Sequence, residues 1–297
     1  MKGKEIAEIF RKLQLHITDE LELLDGKASF TEDSWKRPEG GGGQTRVIRD
    51  GAILEKGGVA FSAVHGEVSN VMKQQLQMEG ESFYATGVSI VLHPKHPRHP
   101  IMHMNVRYFE LNSGEYWFGG GIDMTPHFIE KTKAKLFHNS LKKICDQYHP
   151  NFYDEFKPWA DGYFFLPHRN ETRGVGGIFY DHRCEENTGL TKQMLLNFSL
   201  DLGQLFPLLY RDQVLPLSVE SPRPSELEWQ ALRRGRYVEF NLLHDKGTKF
   251  GIYSGGRTES ILMSMPPIAH WVYDFVPNEG SEEEETLKIL KSTPDWI

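Results

Sequence analysis

The sequence predicts a single α+β domain over residues 1–297, in which a large, mainly antiparallel β-sheet is flanked on both faces by α-helices. Two patterns lead to this prediction. Several short runs alternate β-branched or aromatic residues with smaller ones, as strands do, and segments with helical periodicity surround these runs. The chain has no internal repeat and no change of composition that would mark a domain boundary, so we expect one core built from both kinds of element.

The N-terminal segment, residues 1–26, is predicted to form an amphipathic helix that ends at Gly26. Its apolar residues recur at spacings of three and four: Ile6, Ile9, Phe10, Leu13 and Ile17. Residues 29–46 are polar and contain four consecutive glycines, a composition that predicts a flexible loop.

Four alternating runs then predict the strands of the sheet. Residues 58–68 and 86–94 are the first two, and residues 102–111 and 115–124 are the next two. The turn sequence Asn-Ser-Gly at 112–114 lies between the last pair, so these two strands are predicted to form an antiparallel hairpin.

The remaining elements are predicted from helical periodicity, capping patterns and short apolar runs. The predicted helices cover residues 127–148, 190–210, 225–235 and 281–291, the second with a break at Pro207. The last two begin with capping-box patterns, Ser225…Glu228 and Ser281…Glu284. Three short apolar runs between them are predicted as further strands: residues 237–245, 248–254 and 261–265.

Composition and charge narrow the class of protein. Lysine and arginine number 34 against 41 acidic residues, a net charge of −7, so we do not expect a general nucleic-acid binder. No stretch approaches the ~18 consecutive apolar residues of a membrane span, and residues 1–25 lack the apolar region of a signal peptide. Cys145 and Cys184 form no CxxC pair, which argues against an iron–sulfur cluster or a disulfide framework. A cytoplasmic protein is therefore expected.

Polar side chains follow one face of the predicted strand 102–111. Period-two alternation places His103, Asn105 and Arg107 on the same face, and a histidine beside a guanidinium could move a proton and bind an anion. Ser89 and His93 share a face of the preceding strand in the same way. The pattern fits the lining of a cleft and fits a sheet face open to water equally well.

Two further groups of residues fit an anion-binding cleft. If residues 237–245 form a strand, Glu239, Asn241 and Asp245 share one face. Arg173 and Arg257 each lie beside glycines in the sequence, and glycines leave room for a bulky ligand. Each arginine could then form a bidentate pair with a carboxylate of that ligand. These residues offer donors for several carboxylates and one or two acidic acceptors.

Long motifs in the chain resemble those of a known family. Four segments are similar to segments of the oxygen-dependent coproporphyrinogen III oxidases: HRNETRGVGGIFYD, RYVEFNLLHDKGTKFGIYSGGRTESILMSMPP, ATGVSIVLHP and HMNVRYFE…YWFGGGIDMTP. The resemblance runs from about Gly41 to the closing residues DWI and includes the N-terminal helix. It implies an enzyme of haem biosynthesis that converts the ring A and B propionates of coproporphyrinogen III to vinyl groups, giving protoporphyrinogen IX. Molecular oxygen is the implied co-substrate, and no other cofactor is required.

The resemblance also implies roles for individual residues. Asp245 matches the acceptor of the pyrrole N–H groups, His103 matches a proton donor, and Asp123 and Arg173 match residues implicated in activity. The positions implied to contact substrate are Ser89, Asn105, Val106, Arg107, Gly255, Gly256 and Arg257. A divalent-metal site proposed for bacterial members matches His93, His103, His138 and His168, although a required metal is not expected.

The chain departs from the family pattern at two places. Lys246 stands where an arginine often follows the pyrrole-binding aspartate, so the bidentate fork of that arginine is lost. The family's Phe-Asp-Asp after GGI is here Phe179-Tyr180-Asp181-His182, which leaves the role of the second acid without support.

A homodimer formed through residues 237–272 is expected, partly from the resemblance. The sequence of this region supports the same expectation, because its predicted strands are more apolar than the edge of a sheet can safely expose. Two other functions stay open: a metal-dependent oxygenase that uses histidines as iron ligands, and a tetrapyrrole-binding carrier without turnover.

Overall fold

The computed structural model describes residues 1–68, 80–215, 220–253, 256–292 and 294–297. The helices of this part of the chain are α1 (Gly3–Asp25), α2 (Lys131–Tyr148), α3 (Phe152–Tyr163), α4 (Glu185–Thr188), α5 (Lys192–Val214), α6 (Pro224–Leu243), α7 (Lys246–Tyr253), α8 (Thr258–Leu262) and α9 (Glu282–Ser292). The strands are β1 (Thr31–Lys36), β2 (Gly41–Arg49), β3 (Leu54–Glu67), β4 (Ser82–Pro94), β5 (Ile101–Leu111), β6 (Tyr116–Thr125), β7 (Phe165–Leu166), β8 (Glu171–Thr172) and β9 (Gly177–Arg183).

A seven-stranded antiparallel sheet forms the centre of the molecule. Its strand order is β1-β2-β3-β4-β5-β6-β9, while β7 and β8 pair separately. One face carries the main apolar core, in which Val88, Met104 and Ile122 pack with side chains of α1, α2 and α5. Parts of α6 and the segment around α8 lie over the opposite face, where Tyr237 meets Val91. The α+β prediction with helices on both faces of the sheet is confirmed.

The predicted N-terminal helix is confirmed, and the loop predicted after it is wrong. Helix α1 ends where expected, at Gly26 in the left-handed conformation with φ of 69°. Residues 29–46 instead contribute β1 and most of β2. The glycines permit this pairing, since a Cβ at Gly42 would lie 2.2 Å from the carbonyl oxygen of Trp35 on the neighbouring strand.

The strands predicted between residues 58 and 124 are confirmed, as is their turn, where Gly114 has φ of 93°. Those predicted at 237–245, 248–254 and 261–265 are wrong, because the described parts of these segments lie in α6, α7 and α8 or in the turns beside them. Helix α6 is buried around much of its circumference, so its sequence lacks the polar stripe that marks a surface helix.

Three details of the predicted helices are also corrected. Pro207 lies buried inside α5 and does not end it, and the helix expected from residue 127 starts at Lys131. Helix α6 starts at Pro224, with Glu226 bonded to the backbone N–H of Arg223, so the capping pattern lies two residues before the predicted one. The cap predicted at Ser281 is confirmed on its serine side, since its hydroxyl accepts the N–H of Glu284 at 3.2 Å.

Candidate active site

The candidate site is built on the sheet face that carries His103, Asn105 and Arg107, here called the polar face. All three side chains are partly exposed, whereas their neighbours Met102 and Met104 are fully buried on the other side. The predicted alternation of β5 is therefore confirmed.

Small residues flank the polar side chains of β5 on both neighbouring strands. Asn105 pairs with Ser89 on β4 and with Gly121 on β6. Arg107 pairs with glycines on both sides, Gly87 and Gly119. The cross-strand neighbours of Asn105 and Arg107 on the polar face are therefore small, whereas those of His103 are Val91 and Asp123.

A buried Asp123–Arg173 ion pair and the partly exposed His103 form a trio at one end of the polar face. His103 and Asp123 are direct cross-strand partners, and the histidine Nδ1 lies 2.8 Å from the aspartate Oδ1. Arg173 donates to both oxygens of the same carboxylate, from Nη2 at 2.7 Å and from Nε at 3.2 Å. Burial by itself raises the pKa of Asp123, but Arg173 and His103 outweigh it and hold the pKa below its ordinary value. Asp123 is therefore ionised at neutral pH.

The protonation of His103 follows from its partner. An ionised carboxylate only accepts hydrogen bonds, so the Nδ1 of His103 carries the hydrogen and donates it to Asp123. The Nε2 atom is left as the proton-exchanging position, 3.4 Å from the amide nitrogen of Asn105. Since its side chain is 16% exposed, His103 can reach a ligand on the polar face, and Asp123 fixes the orientation of the ring.

Arg173 is held by an amide and by aromatic rings. Its Nη1 donates to the Asn241 side-chain oxygen at 2.9 Å. The guanidinium carbon lies 4.4 Å from the ring centre of Phe164 and 4.6 Å from those of Tyr237 and Phe240. With both polar and aromatic partners, Arg173 is fixed as the counter-charge of Asp123 and is too enclosed to bind a ligand carboxylate directly.

Asp245 occupies the start of a helix. The strand face predicted to join it with Glu239 and Asn241 is wrong, because α6 carries the latter two and Asp245 caps α7. One carboxylate oxygen accepts the backbone N–H of Thr248 at 2.6 Å, and the other accepts the hydroxyl of Tyr163 at 2.7 Å. Asp245 is partly exposed, so each oxygen retains capacity to accept a further donor.

Tyr163 connects Asp245 to the sheet. Its ring stacks on Phe179 of β9, with ring centres 4.3 Å apart, and its hydroxyl accepts the backbone N–H of Lys246 at 3.2 Å. Burial, followed by the charge of Asp245, raises the pKa of this phenol. Tyr163 therefore stays protonated and donates to Asp245.

Other residues implied to contact substrate lie in different settings. Val106 is fully buried on the core side, so only its backbone is available at the polar face. Arg257 precedes α8, where its guanidinium contacts Asp33 and donates to the Ser260 hydroxyl at 3.3 Å. Gly256 is exposed beside it, while Gly255 lies outside the described residues.

The four histidines implied as metal ligands are not brought together. His138 is buried in the core and uses both ring nitrogens, on the Tyr153 hydroxyl and on the Val175 carbonyl. His168 bonds Glu239 and His244. His93 bonds the Ser264 carbonyl, and His103 bonds Asp123. Across the described ranges, no three histidine, cysteine, aspartate or glutamate side chains are grouped as a metal site.

Two residues at the site were not predicted. Tyr163 carried no distinguishing signal, because an aromatic residue in the run DGYFF is as readily explained by core packing. Asp181 was noted only as part of a departure from a family motif, and the structure pairs it with Arg107 at 2.7 Å.

Taken together, the fold and the site define an α+β enzyme, with an oriented histidine, a partly exposed carboxylate and an accessible arginine on one side of an antiparallel sheet. The family model for coproporphyrinogen III oxidase matches residues 5–296. The chain belongs to this family.

Individual relatives agree over nearly the whole chain. A protein of Prochlorococcus marinus (strain NATL1A) named oxygen-dependent coproporphyrinogen-III oxidase is 43% identical, and the alignment covers 97% of this chain and 90% of the relative. One of Synechococcus sp. (strain CC9902) with the same name is 42% identical over 96% of this chain and 85% of its own length. The human protein, whose name adds "mitochondrial", is 43% identical over 96% of this chain and 65% of its own length.

Among the helices that the structure describes, none combines the length and the apolar character needed to cross a membrane.

Proposed function

We propose that this chain catalyses the oxygen-dependent oxidative decarboxylation of two propionates of coproporphyrinogen III, giving protoporphyrinogen IX. Each step releases carbon dioxide and passes two electrons to oxygen. The observation that carries the proposal is the His103–Asp123–Arg173 trio beside a partly exposed carboxylate, in a chain that belongs to the coproporphyrinogen III oxidase family.

Each side chain has a proposed task set by its chemistry. Asp245 accepts the pyrrole N–H groups and stabilises positive charge that develops as the macrocycle is oxidised. His103 exchanges a proton with the substrate through Nε2, while Asp123 and Arg173 keep its ring in place. Arg107 binds a propionate on the polar face, and Ser89 and Asn105 line the same face.

The activity is tested by incubating the protein with coproporphyrinogen III under air and under nitrogen. Protoporphyrin fluorescence is then read after chemical oxidation of the product. We expect product only under air. Lys142→Ala, an exposed change away from the polar face, serves as the control and should match the unmodified protein. Binding of the macrocycle without oxygen-dependent product would instead favour the carrier.

We also propose that the reaction requires no metal and no organic cofactor. Support comes from the ring nitrogens of His138 and His168, all of which already bond protein groups. Protein treated with a chelator and then freed of it should keep its rate. A lost rate that one divalent metal restores would contradict this and favour the histidine-ligated oxygenase.

A homodimer through residues 237–272 is part of the proposal, with a revised physical reason. Strand edges cannot drive it, because the described parts of this region are helices and irregular segments. Apolar side chains that stay exposed support it instead: Leu242, Leu243, Ile252, Tyr253, Ile268, Trp271 and Val272.

Light scattering on matched variants tests the dimer. Leu243→Glu places a charge in the proposed contact region, and Leu23→Glu places one on an exposed position of α1. Only the first should lower the dimer fraction, with the circular dichroism of both variants unchanged. A folded, active monomer of the unmodified protein would refute the dimer.

We propose the cytoplasm as the location of the protein. Cys145 and Cys184 are both free, which agrees with a reducing compartment. Fractionation of the source cells, with marker proteins for each compartment, tests this.

A further inference from the structure

We propose that Asp181 is a positioning residue that holds the Arg107 guanidinium at the polar face before a ligand carboxylate arrives. The Nη2 of Arg107 lies 2.7 Å from the Oδ2 of Asp181. The aspartate side chain is 20% exposed and the arginine 41%, so the acid is the more enclosed partner and the arginine faces outward. The inference rests on the proposed function, since it takes a propionate of the substrate as the ligand of Arg107.

The ion pair passes directly over Gly119. This glycine lies on β6, between β5 with Arg107 and β9 with Asp181. A Cβ at Gly119 would lie 2.5 Å from the Oδ1 of Asp181 and 2.7 Å from the Nε of Arg107. Because these are the ends of flexible side chains, a methyl group there would separate the pair without displacing the backbone.

A bulge in β9 directs Asp181 toward Arg107. The pairing of β6 with β9 shifts between Phe118 and Gly120, so that Asp181 and His182 together stand opposite Gly119. His182 adopts the left-handed conformation with φ of 52°, which non-glycine residues seldom do. Its backbone N–H donates to the Oδ1 of Asp181 at 2.9 Å.

The ring of His182 holds this bulge in place. It stacks on Trp117 of β6, with ring centres 4.8 Å apart and planes 13° apart. An unusual backbone conformation that several contacts maintain is the kind of feature that clusters at functional sites. In this conformation the Oδ1 of Asp181 accepts the backbone N–H of His182, and the Oδ2 of Asp181 faces Arg107.

The electrostatics give Asp181 a constant charge. Burial by itself raises its pKa, but the side chain of His182, whose Nδ1 lies 3.5 Å from the Oδ2 of Asp181, and the charge of Arg107 outweigh burial and bring the pKa to about 2. Asp181 is therefore an anion throughout the range in which the protein would be assayed. A guanidinium has five N–H groups, so Arg107 retains donors for a second carboxylate while Asp181 occupies one edge.

The test measures binding of coproporphyrin III, the air-stable aromatic form with the same four propionates, by quenching of tryptophan fluorescence. Asp181→Asn keeps the shape and removes the charge, so Arg107 must be ordered when the ligand binds. We expect Kd to rise about 2- to 12-fold, the cost of ordering one long side chain. Gly119→Ala should raise Kd similarly, because it separates the same pair.

A double variant distinguishes positioning from a structural role. In an Arg107→Ala background, Asp181→Asn should change Kd no further, since nothing remains to be oriented. Glu155→Gln is the matched control, because it removes another ion pair of β9, to Arg183 at 3.2 Å, and should leave Kd unchanged. An unchanged Kd for Asp181→Asn, or effects of Asp181→Asn and Arg107→Ala that multiply, would refute the inference.

Turnover is measured separately on the same variants, with coproporphyrinogen III under air. If the unmodified protein forms no product while Asp181→Asn still weakens coproporphyrin III binding, the proposed function fails and the positioning role stands. If the unmodified protein is active, Asp181→Asn should raise KM and leave kcat within about twofold. A lower kcat with unchanged KM would contradict the positioning role.

Discussion

Removing the charge of Asp123 should destabilise the protein mainly because it leaves the buried Arg173 guanidinium without a counter-charge. The carboxylate accepts three hydrogen bonds, two from Arg173 at 2.7 and 3.2 Å and one from His103 at 2.8 Å. Asp123 and Arg173 are each only 2% exposed, so water cannot replace the lost partner. Breaking such a pair from one side costs about 3–5 kcal/mol, because it leaves an uncompensated buried charge. Asp123→Asn should therefore lower the free energy of unfolding by about this amount.

Urea unfolding followed by circular dichroism measures the effect in a double-mutant cycle. Arg173→Met leaves the carboxylate without its buried counter-charge and with only the hydrogen bond from His103, and it should cost a similar free energy. The variant with both changes leaves no unpaired charge at this position. Its loss should therefore fall short of the sum of the single losses by at least about 1.5 kcal/mol.

An exposed ion pair provides the matched control. Lys142 and Asp146 lie four residues apart on α2, with Nζ and Oδ1 3.1 Å apart and side chains 35% and 43% exposed. Their alanine cycle should give a much smaller coupling than that of the buried pair, because water and salt screen charges at the surface. Additive losses for Asp123→Asn and Arg173→Met would refute the reasoning, because they would mean that neither charge depends on the other.

Three further predictions concern other charged groups. Asp245→Asn should lower kcat at least ~10²-fold in a folded protein, the scale for deleting one electrostatic stabiliser, and near-normal kinetics would remove its proposed role. Arg257→Ala should raise KM at least about tenfold, since it removes a charged hydrogen-bond donor, and an unchanged KM would place that side chain outside the site. Burial alone raises the pKa of Glu226, but hydrogen bonds from Arg223 and Arg98 outweigh burial and lower this pKa from the ordinary 4.5 to about 2. Its stabilisation is therefore complete above pH ~4.5 and is lost as the pH falls toward ~2, so urea unfolding should show Glu226→Gln weakening the protein most at neutral pH.

The central strands were predictable because burial differs between their two sides. On β5, apolar residues alternate with His103, Asn105 and Arg107, and that alternation is visible without any tertiary information. Strand β1, at one edge of the sheet, and its neighbour β2 carry no such signal. Residues 31–36 are almost all exposed, and their pairing depends on backbone hydrogen bonds and on glycines that allow close approach.

The chemistry at the site was predictable in residue type but not in geometry. Local alternation identified His103, and a family resemblance pointed to Asp123, Arg173 and Asp245. Neither could indicate that Arg173 would be enclosed by aromatic rings and serve Asp123, because its partners come from elements distant in the chain. Nor could they indicate Tyr163, whose importance lies in one hydroxyl 2.7 Å from Asp245.

Helix α6 explains both the largest error of prediction and the placement of the site. Its charged residues are buried in ion pairs with distant acids or within the helix: Arg233 with Glu171, Arg234 with Glu55, and Arg236 with Glu239. Buried pairs of this kind add little net stability, yet a helix that slipped along its axis would leave Arg233 and Arg234 without their partners on other elements. They therefore fix the position of α6 against the sheet. Asn241 of this helix accepts a hydrogen bond from Arg173, and Asp245 follows the end of the helix. The ion pairs that position α6 therefore also determine where Asp245 lies relative to His103.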